Sequence, residues 1–235
     1  MNAIQLPARS ITRRLAFDAR RVGLLLSGAR DLLTVCGPIA LELSMILTQS
    51  WQQGYNPLRD TISSMVWGQG GWLQTANFFL IGATLAALAS QLRPLLTSRA
   101  ARWGGIALLV TGLSFVVLGV CPTQSPEGPK TIQAIVHGVT VYVIVFFFPL
   151  ACFLLAPAVR VGRFGQFAAA YSYATGALGA VLIAGGAFLM VKEAPWFGML
   201  ERLLLLNGFV WIEIVAVYFA GGAAHRSVEV RRYES

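Results

Sequence analysis

Positive charge in this chain is sorted by position. Six long apolar runs divide it, at Leu32–Thr48, Trp72–Leu92, Gly104–Cys121, Gln133–Ala158, Phe167–Val191 and Glu201–Gly221, and 14 of its 18 Lys and Arg residues fall in alternate gaps. Arg9, Arg13, Arg14, Arg20, Arg21 and Arg30 precede the first run, and Arg93, Arg99 and Arg102 follow the second. Arg160 and Arg163 follow the fourth, and Arg226, Arg231 and Arg232 follow the sixth. The other side receives only Arg59, Lys130, Lys192 and Arg202. A stretch of about 20 apolar residues crosses the hydrocarbon of a bilayer, and flanking cations are retained on the cytoplasmic side. The pattern predicts an all-α membrane protein: a six-transmembrane-helix bundle in the cell membrane, plasma or inner, with both termini cytoplasmic and three loops facing outward. Helices are required because an open strand edge is not satisfied in lipid, and the runs lack the two-residue alternation of a barrel.

Composition agrees with this class. The chain is 56% hydrophobic and 12% charged, where a soluble domain carries about 25% charged residues. Its net charge of +8 consists mainly of Arg placed beside apolar segments, where it meets anionic headgroups. Nucleic acid is therefore not an expected partner; membrane lipids are, and a membrane-protein partner is a second candidate. Residues 1–30 form a basic cytoplasmic segment, 31–221 the membrane domain and 222–235 a cytoplasmic tail. The N-terminus lacks the cleavage site of an ordinary signal peptide. Ile11, Leu15, Val22 and Leu26 suit the apolar stripe of a helix on the inner surface, with Arg13, Arg14, Arg20 and Arg21 in the headgroups.

Three cysteines make no disulfide framework, and Cys36 and Cys152 read as small packing residues inside spans. Gly82, Ala86 and Ser90 in the second run, and Gly176, Ala180 and Ala184 in the fifth, recur every four positions and predict close helix approach. Trp51, Trp67, Trp72, Trp103 and Trp196 are placed for an interfacial belt.

The outward loops hold most of the chemically suggestive residues. Asn56-Pro57 makes a turn, and the residues after it suit a short interfacial helix. On that helix Leu58, Ile62, Met65 and Val66 share one face, and Arg59, Asp60, Ser63 and Ser64 another. Asp60 is either a plain N-cap or part of a fixed polar network with Arg59. The second outward loop, Cys121 to Thr131, is rich in proline and leads into His137, about one turn inside the fourth span. His137 is either a hydrogen-bonded structural group or a proton-transfer residue. Glu201 and Arg202 open the sixth span. Glu201 complements a positive helix end, or the two join Arg59, Asp60 and His137 in one ring. Glu42 and Glu213 lie deeper, where an uncompensated carboxyl costs about 2.5–3.5 kcal/mol; protonation, or pairing with Ser44, Asn77 or Asn207, is expected.

Tyr55-Asn-Pro-Leu-Arg-Asp-Thr-Ile-Ser-Ser64, Cys121-Pro-Thr with Thr131 to His137-Gly138, and Glu201-Arg202 together resemble a prokaryotic family of six-span membrane proteins, domain of unknown function 998. The resemblance covers about Asp31 to Gly221. It implies a distant likeness to eukaryotic six-span proteins of the FGF-receptor-activating and autophagy-modulator group, some of which act in lipid remodelling. Alkaline ceramidase-like hydrolases, which use three His around zinc, are a further comparison. This chain departs from them, because His137 is the sole outward histidine and His225 lies in the inner tail. Neither metal nor cofactor is expected.

Three functions follow as competing expectations. The first is an intramembrane hydrolase or transferase acting on lipid, with Asp60, Ser63, Ser64, His137 and Glu201 as catalytic candidates and Arg59, Arg202, Lys130 and Tyr55 as ligand-binding ones. The second is a non-catalytic scaffold or binding protein in which the same residues are structural. The third is a small transporter using Glu42 and Glu213.

Overall fold

The computed structural model describes residues 8–162, 164–191 and 195–220, with side chains described from 27 to 188 (163 apart) and from 195 to 219. It consists of six long helices: α1 (Ala8–Trp51), α2 (Gly71–Leu92), α3 (Arg99–Val120), α4 (Ile132–Leu155), α5 (Gly165–Val191) and α6 (Phe197–Ala220). Each contains a segment long and apolar enough to cross a membrane: Ser27–Trp51, Gly71–Leu95, Arg99–Val120, Ile132–Leu155, Gly165–Phe188 and Phe197–Phe219. The chain is a multi-pass membrane protein, and the six expected runs coincide with its six spans, the first and third beginning five residues earlier than expected and the sixth four.

Residues 8–30 continue into the first span as one helix of 44 residues, about 66 Å long at 1.5 Å per residue. The stripe expected from Ile11, Leu15, Val22 and Leu26 concerns side chains outside the described residues, as do Arg13, Arg14, Arg20 and Arg21. Lys192, Arg163, His225 and the expected tail 222–235 also lie outside them.

Sequential helices pack against one another, α1 on α2 through α5 on α6, and α6 closes the ring on α1. The centre is filled by Leu41, Leu85, Leu88, Leu108, Leu155 and Trp211, all buried. Small residues set the approaches, though not along the expected stripes. A side chain at Gly82 would sit 2.8 Å from the Gly112 carbonyl of α3, so those two glycines bring α2 and α3 together. Ala86 and Ser90, one and two turns on, are exposed. In α5, Gly176 is buried against Phe153 and Gly179 against Pro149, whereas Ala180 and Ala184 are exposed. The fifth helix turns its Ser172-Thr175-Gly179 face inward because Trp211 Nε1 donates to Ser172 Oγ (2.9 Å) and Asn207 Nδ2 to the Thr175 carbonyl (3.0 Å). Cys152 is fully buried, as a packing residue should be, but Cys36 is exposed.

Trp51, Trp67, Trp72, Trp103 and Trp196 all lie exposed at or near span ends, and Trp211 alone among the tryptophans is buried. An amphipathic indole at a span end matches an interfacial position. The connections after α1 and α3 and the start of α6 gather at one end of the bundle. There Trp67 Nε1 donates to the Thr123 carbonyl (3.1 Å), and the Ile62 N–H donates to the Glu201 carboxylate (2.7 Å).

Candidate functional site

The first connection at this end is built in two steps. Residues 56–60 form a turn in which the N–H groups of Arg59 and Asp60 donate to the Asn56 carbonyl (3.0 and 2.7 Å). Asp60 closes the turn from below: its Oδ2 accepts from the Asn56 N–H (2.7 Å) and its Oδ1 from Arg59 Nε (2.9 Å). The hydrogen bond from the Arg59 guanidinium holds the Asp60 carboxyl below its ordinary value, with the Asn56 N–H assisting and partial burial opposing. A single 3₁₀-helix, Ile62–Trp67, follows.

The short helix expected after Asn56-Pro57 therefore starts later and is of tighter type. Its N-cap is Thr61, whose hydroxyl accepts from the Ser64 N–H (3.3 Å), and not Asp60. Ile62 and Met65 face the core as expected, Val66 is partly buried, and Leu58 is exposed because it lies in the preceding turn. Ser64, expected on one face with Asp60, instead bonds the Thr61 carbonyl through its Oγ (2.7 Å).

This connection is clamped onto the first turn of α6. Gly198 has backbone where a side chain would sit, 2.4 Å from the Asp60 carbonyl oxygen, so only glycine permits the approach. The Met199 N–H donates to the Leu58 carbonyl (3.0 Å). One turn on, the Glu201 carboxylate accepts the Ile62 N–H and so caps the start of the 3₁₀-helix. Arg202 fills the centre. Its Nη1 donates to the carbonyls of Asp60 (3.1 Å) and Gly198 (2.9 Å), and its Nη2 donates to Gln49 Oε1 (3.2 Å) and to the Tyr55 hydroxyl. Four of its five N–H donors thus meet neutral oxygens. The guanidinium also lies 5.4 Å from the Tyr55 ring centroid. Tyr55 passes its own proton on toward the carbonyls of Thr61 (2.9 Å) and Asp60 (3.1 Å). Burial pushes the Tyr55 phenol above its ordinary value, against the pull of Arg202, so it remains a neutral donor.

Of the residues singled out from sequence, Tyr55, Arg59, Asp60, Glu201 and Arg202 thus come together. The others do not join them. His137 is buried in the first turns of α4, where Nδ1 donates to the Cys121 carbonyl (2.7 Å) and the ring meets the edge of Phe78 at 6.1 Å. Its Nε2 is buried without a hydrogen-bond partner. Among the described residues, no hydrogen bond joins His137 to Asp60, Ser63, Ser64 or Glu201. Ser63 is buried, and Lys130 is exposed beside Thr131, the N-cap of α4. Among the described residues, no group of three His, Cys, Asp or Glu has the spacing to hold a metal.

Beneath the clamp lies a feature that no single sequence motif announces. A cleft of about 220 Å³ runs between α1 and α6, lined by Glu42, Met45, Ile46, Gln49, Ile62, Met65, Met199, Arg202, Leu203 and Leu206. Gln49 and Arg202 mark its loop end, and Glu42 lies two turns deeper on α1. Ile46, Met199, Leu203 and Leu206 are exposed along it, so it opens sideways toward lipid. Glu42 and Gln49, seven apart, share one helix face; that spacing was the available sequence signal. None of the partners expected for the two deep acids bonds them among the described residues. Asn77 donates to Gln74 (3.3 Å), Asn207 to Thr175, and the Ser44 hydroxyl is buried unpaired.

A family model described as "Protein of unknown function (DUF998)" matches residues 35–218. The chain belongs to that family. No curated protein and no solved structure matches it. The family's matched span includes every residue of the clamp and cleft.

Proposed function

We propose that this DUF998 protein is a non-catalytic binder of a membrane amphiphile, which it holds in the α1–α6 cleft at the outer leaflet. The observation that carries the reading is the cleft's polarity: an apolar trough open to lipid, closed at one end by a cation. Arg202 has no carboxylate at ion-pair distance among the described residues, so its charge favours an anionic headgroup, with Gln49 beside it. The apolar walls suit an acyl chain, and Glu42 offers a hydrogen-bonding point to a hydroxyl or amide at its depth. Outward placement rests on the distribution of Lys and Arg.

The catalytic reading has less support. A nucleophile and its base should lie within hydrogen-bond reach, about 2.6–3.2 Å. Instead the Ser64 hydroxyl bonds the Thr61 carbonyl and His137 bonds Cys121. The polar residues read better as the structural roof of the cleft.

The test is binding of a fluorescent anionic phospholipid, against its zwitterionic counterpart, to the full chain in detergent micelles. Leu206→Trp, which fills the cleft, should lower affinity at least about tenfold, and His137→Ala should leave it within about twofold. Unchanged binding by the Leu206→Trp protein would refute the proposal.

A further inference from the structure

At the far end of the bundle from Arg202, a second cavity of about 540 Å³ opens between α5 and α6, lined by Phe164, Phe167, Ala168, Glu213, Ile214, Val217 and Tyr218. Its volume falls in the range of small-molecule sites, about 300–1,000 Å³. Its chemistry differs from that of the first cleft. The walls are aromatic: Phe164 and Phe167 are exposed, Phe167 stacks on Tyr171 (6.0 Å between centroids), and Tyr218 forms the side toward the helix end. Two polar atoms in this lining are buried and have no hydrogen-bond partner among the described residues: Glu213 Oε1 and the Tyr218 hydroxyl. A carboxyl within a span costs about 2.5–3.5 kcal/mol when uncompensated. Packing alone gives no reason for placing one beside three aromatic rings.

We propose that this cavity is a binding site for a lipophilic organic cation, such as a hydrophobic quaternary or tertiary amine. Aromatic faces carry negative quadrupole charge and attract such cations, most strongly where water is excluded. Glu213 supplies the opposite charge, and Phe167 and Tyr218 supply the faces. The Tyr218 hydroxyl is left to bond a polar substituent of the ligand. The opening between α5 and α6 admits the ligand from the bilayer, where a lipophilic cation already partitions. The site shares no residue with the α1–α6 cleft, so either proposal stands if the other fails.

Tetraphenylphosphonium and tetraphenylborate are nearly the same size and shape and opposite in charge. Equilibrium dialysis of each against the full-length protein in a neutral detergent separates charge recognition from apolar partition. The phosphonium should bind saturably and the borate should not. Glu213→Gln should lower phosphonium affinity at least about tenfold, whereas Glu42→Gln should not change it. Because Glu213→Gln replaces a buried group, Phe167→Leu serves as a second variant and should weaken binding about threefold or more. Circular dichroism checks that both variants keep their helices. Equal binding of the two ions, or undiminished binding by Glu213→Gln, would overturn the assignment.

Discussion

Arg202 directs four N–H donors to oxygens contributed by α1, the first connection and α6. Lysine carries the same charge as a single point with three rotatable donors, so it does not span Gln49, Tyr55, Asp60 and Gly198 together. Arg202→Lys should destabilise the protein by about 1–3 kcal/mol, since buried acceptors are left unmatched; thermal unfolding in detergent checks this. Arg202→Met should cost at least as much. Asp60 behaves differently because its partner Arg59 is exposed, and their ion pair is worth less than about 1 kcal/mol. Its carboxyl is held below the ordinary value. Its contribution is therefore present above the unfolded-state pKa near 4 and is lost as pH falls through the lower native value. Asp60→Asn should show a small, constant deficit in melting temperature from pH 7 to 5, closing below about pH 4. A deficit that grew on acidification would contradict the assignment.

The helices were legible because an apolar run of membrane length has one stable conformation in lipid, and the expected and observed spans differ at their ends by a few residues. The capping of the connections was less legible. Both Thr61 and Thr131 accept from the N–H three residues on, but Asp60 preceded Thr61 and offered a competing cap. Tertiary contact decided between them: Asp60 is occupied by Asn56 and Arg59, and Glu201, 139 residues away, takes the Ile62 N–H. The stripes of small residues misled for a related reason. Four-residue spacing marks a face without saying which face meets a neighbour, and Gly82 meets Gly112 while Ala86 and Ser90 remain exposed. Gly82→Val should push α2 from α3 and cost about 1–3 kcal/mol, whereas Ala86→Val on the same helix should be nearly neutral. Gly198→Ala drives a methyl into the Asp60 carbonyl and should loosen the clamp by a similar amount, read as faster proteolysis within residues 54–61.

As a whole the molecule is a ring of helices whose closing seam, between α1 and α6, is incompletely filled below the clamp. Sequence placed Arg59, Asp60, His137, Glu201 and Arg202 in one neighbourhood because alternating spans bring alternate connections to one end; His137 bonds Cys121 instead, and Tyr55 takes a place in the clamp. It did not reveal the cleft, since a seam between the first and last helices leaves no local pattern beyond the Glu42–Gln49 spacing. The proposed sidedness rests on the Arg gradient alone. In a background lacking the native cysteines, Arg59→Cys and Lys130→Cys should react with an impermeant thiol reagent from one face of sealed vesicles, and Arg160→Cys from the other. The most direct test of the central claim is photolabelling of the membrane-embedded protein with an anionic phospholipid carrying a diazirine in its acyl chain, followed by mapping of the adducts. The account predicts adducts concentrated on Ile46, Met199, Leu203 and Leu206, well above those on Ile135 and Val139 of α4, which are as exposed but line no cleft. Equal labelling of the two sets would contradict it.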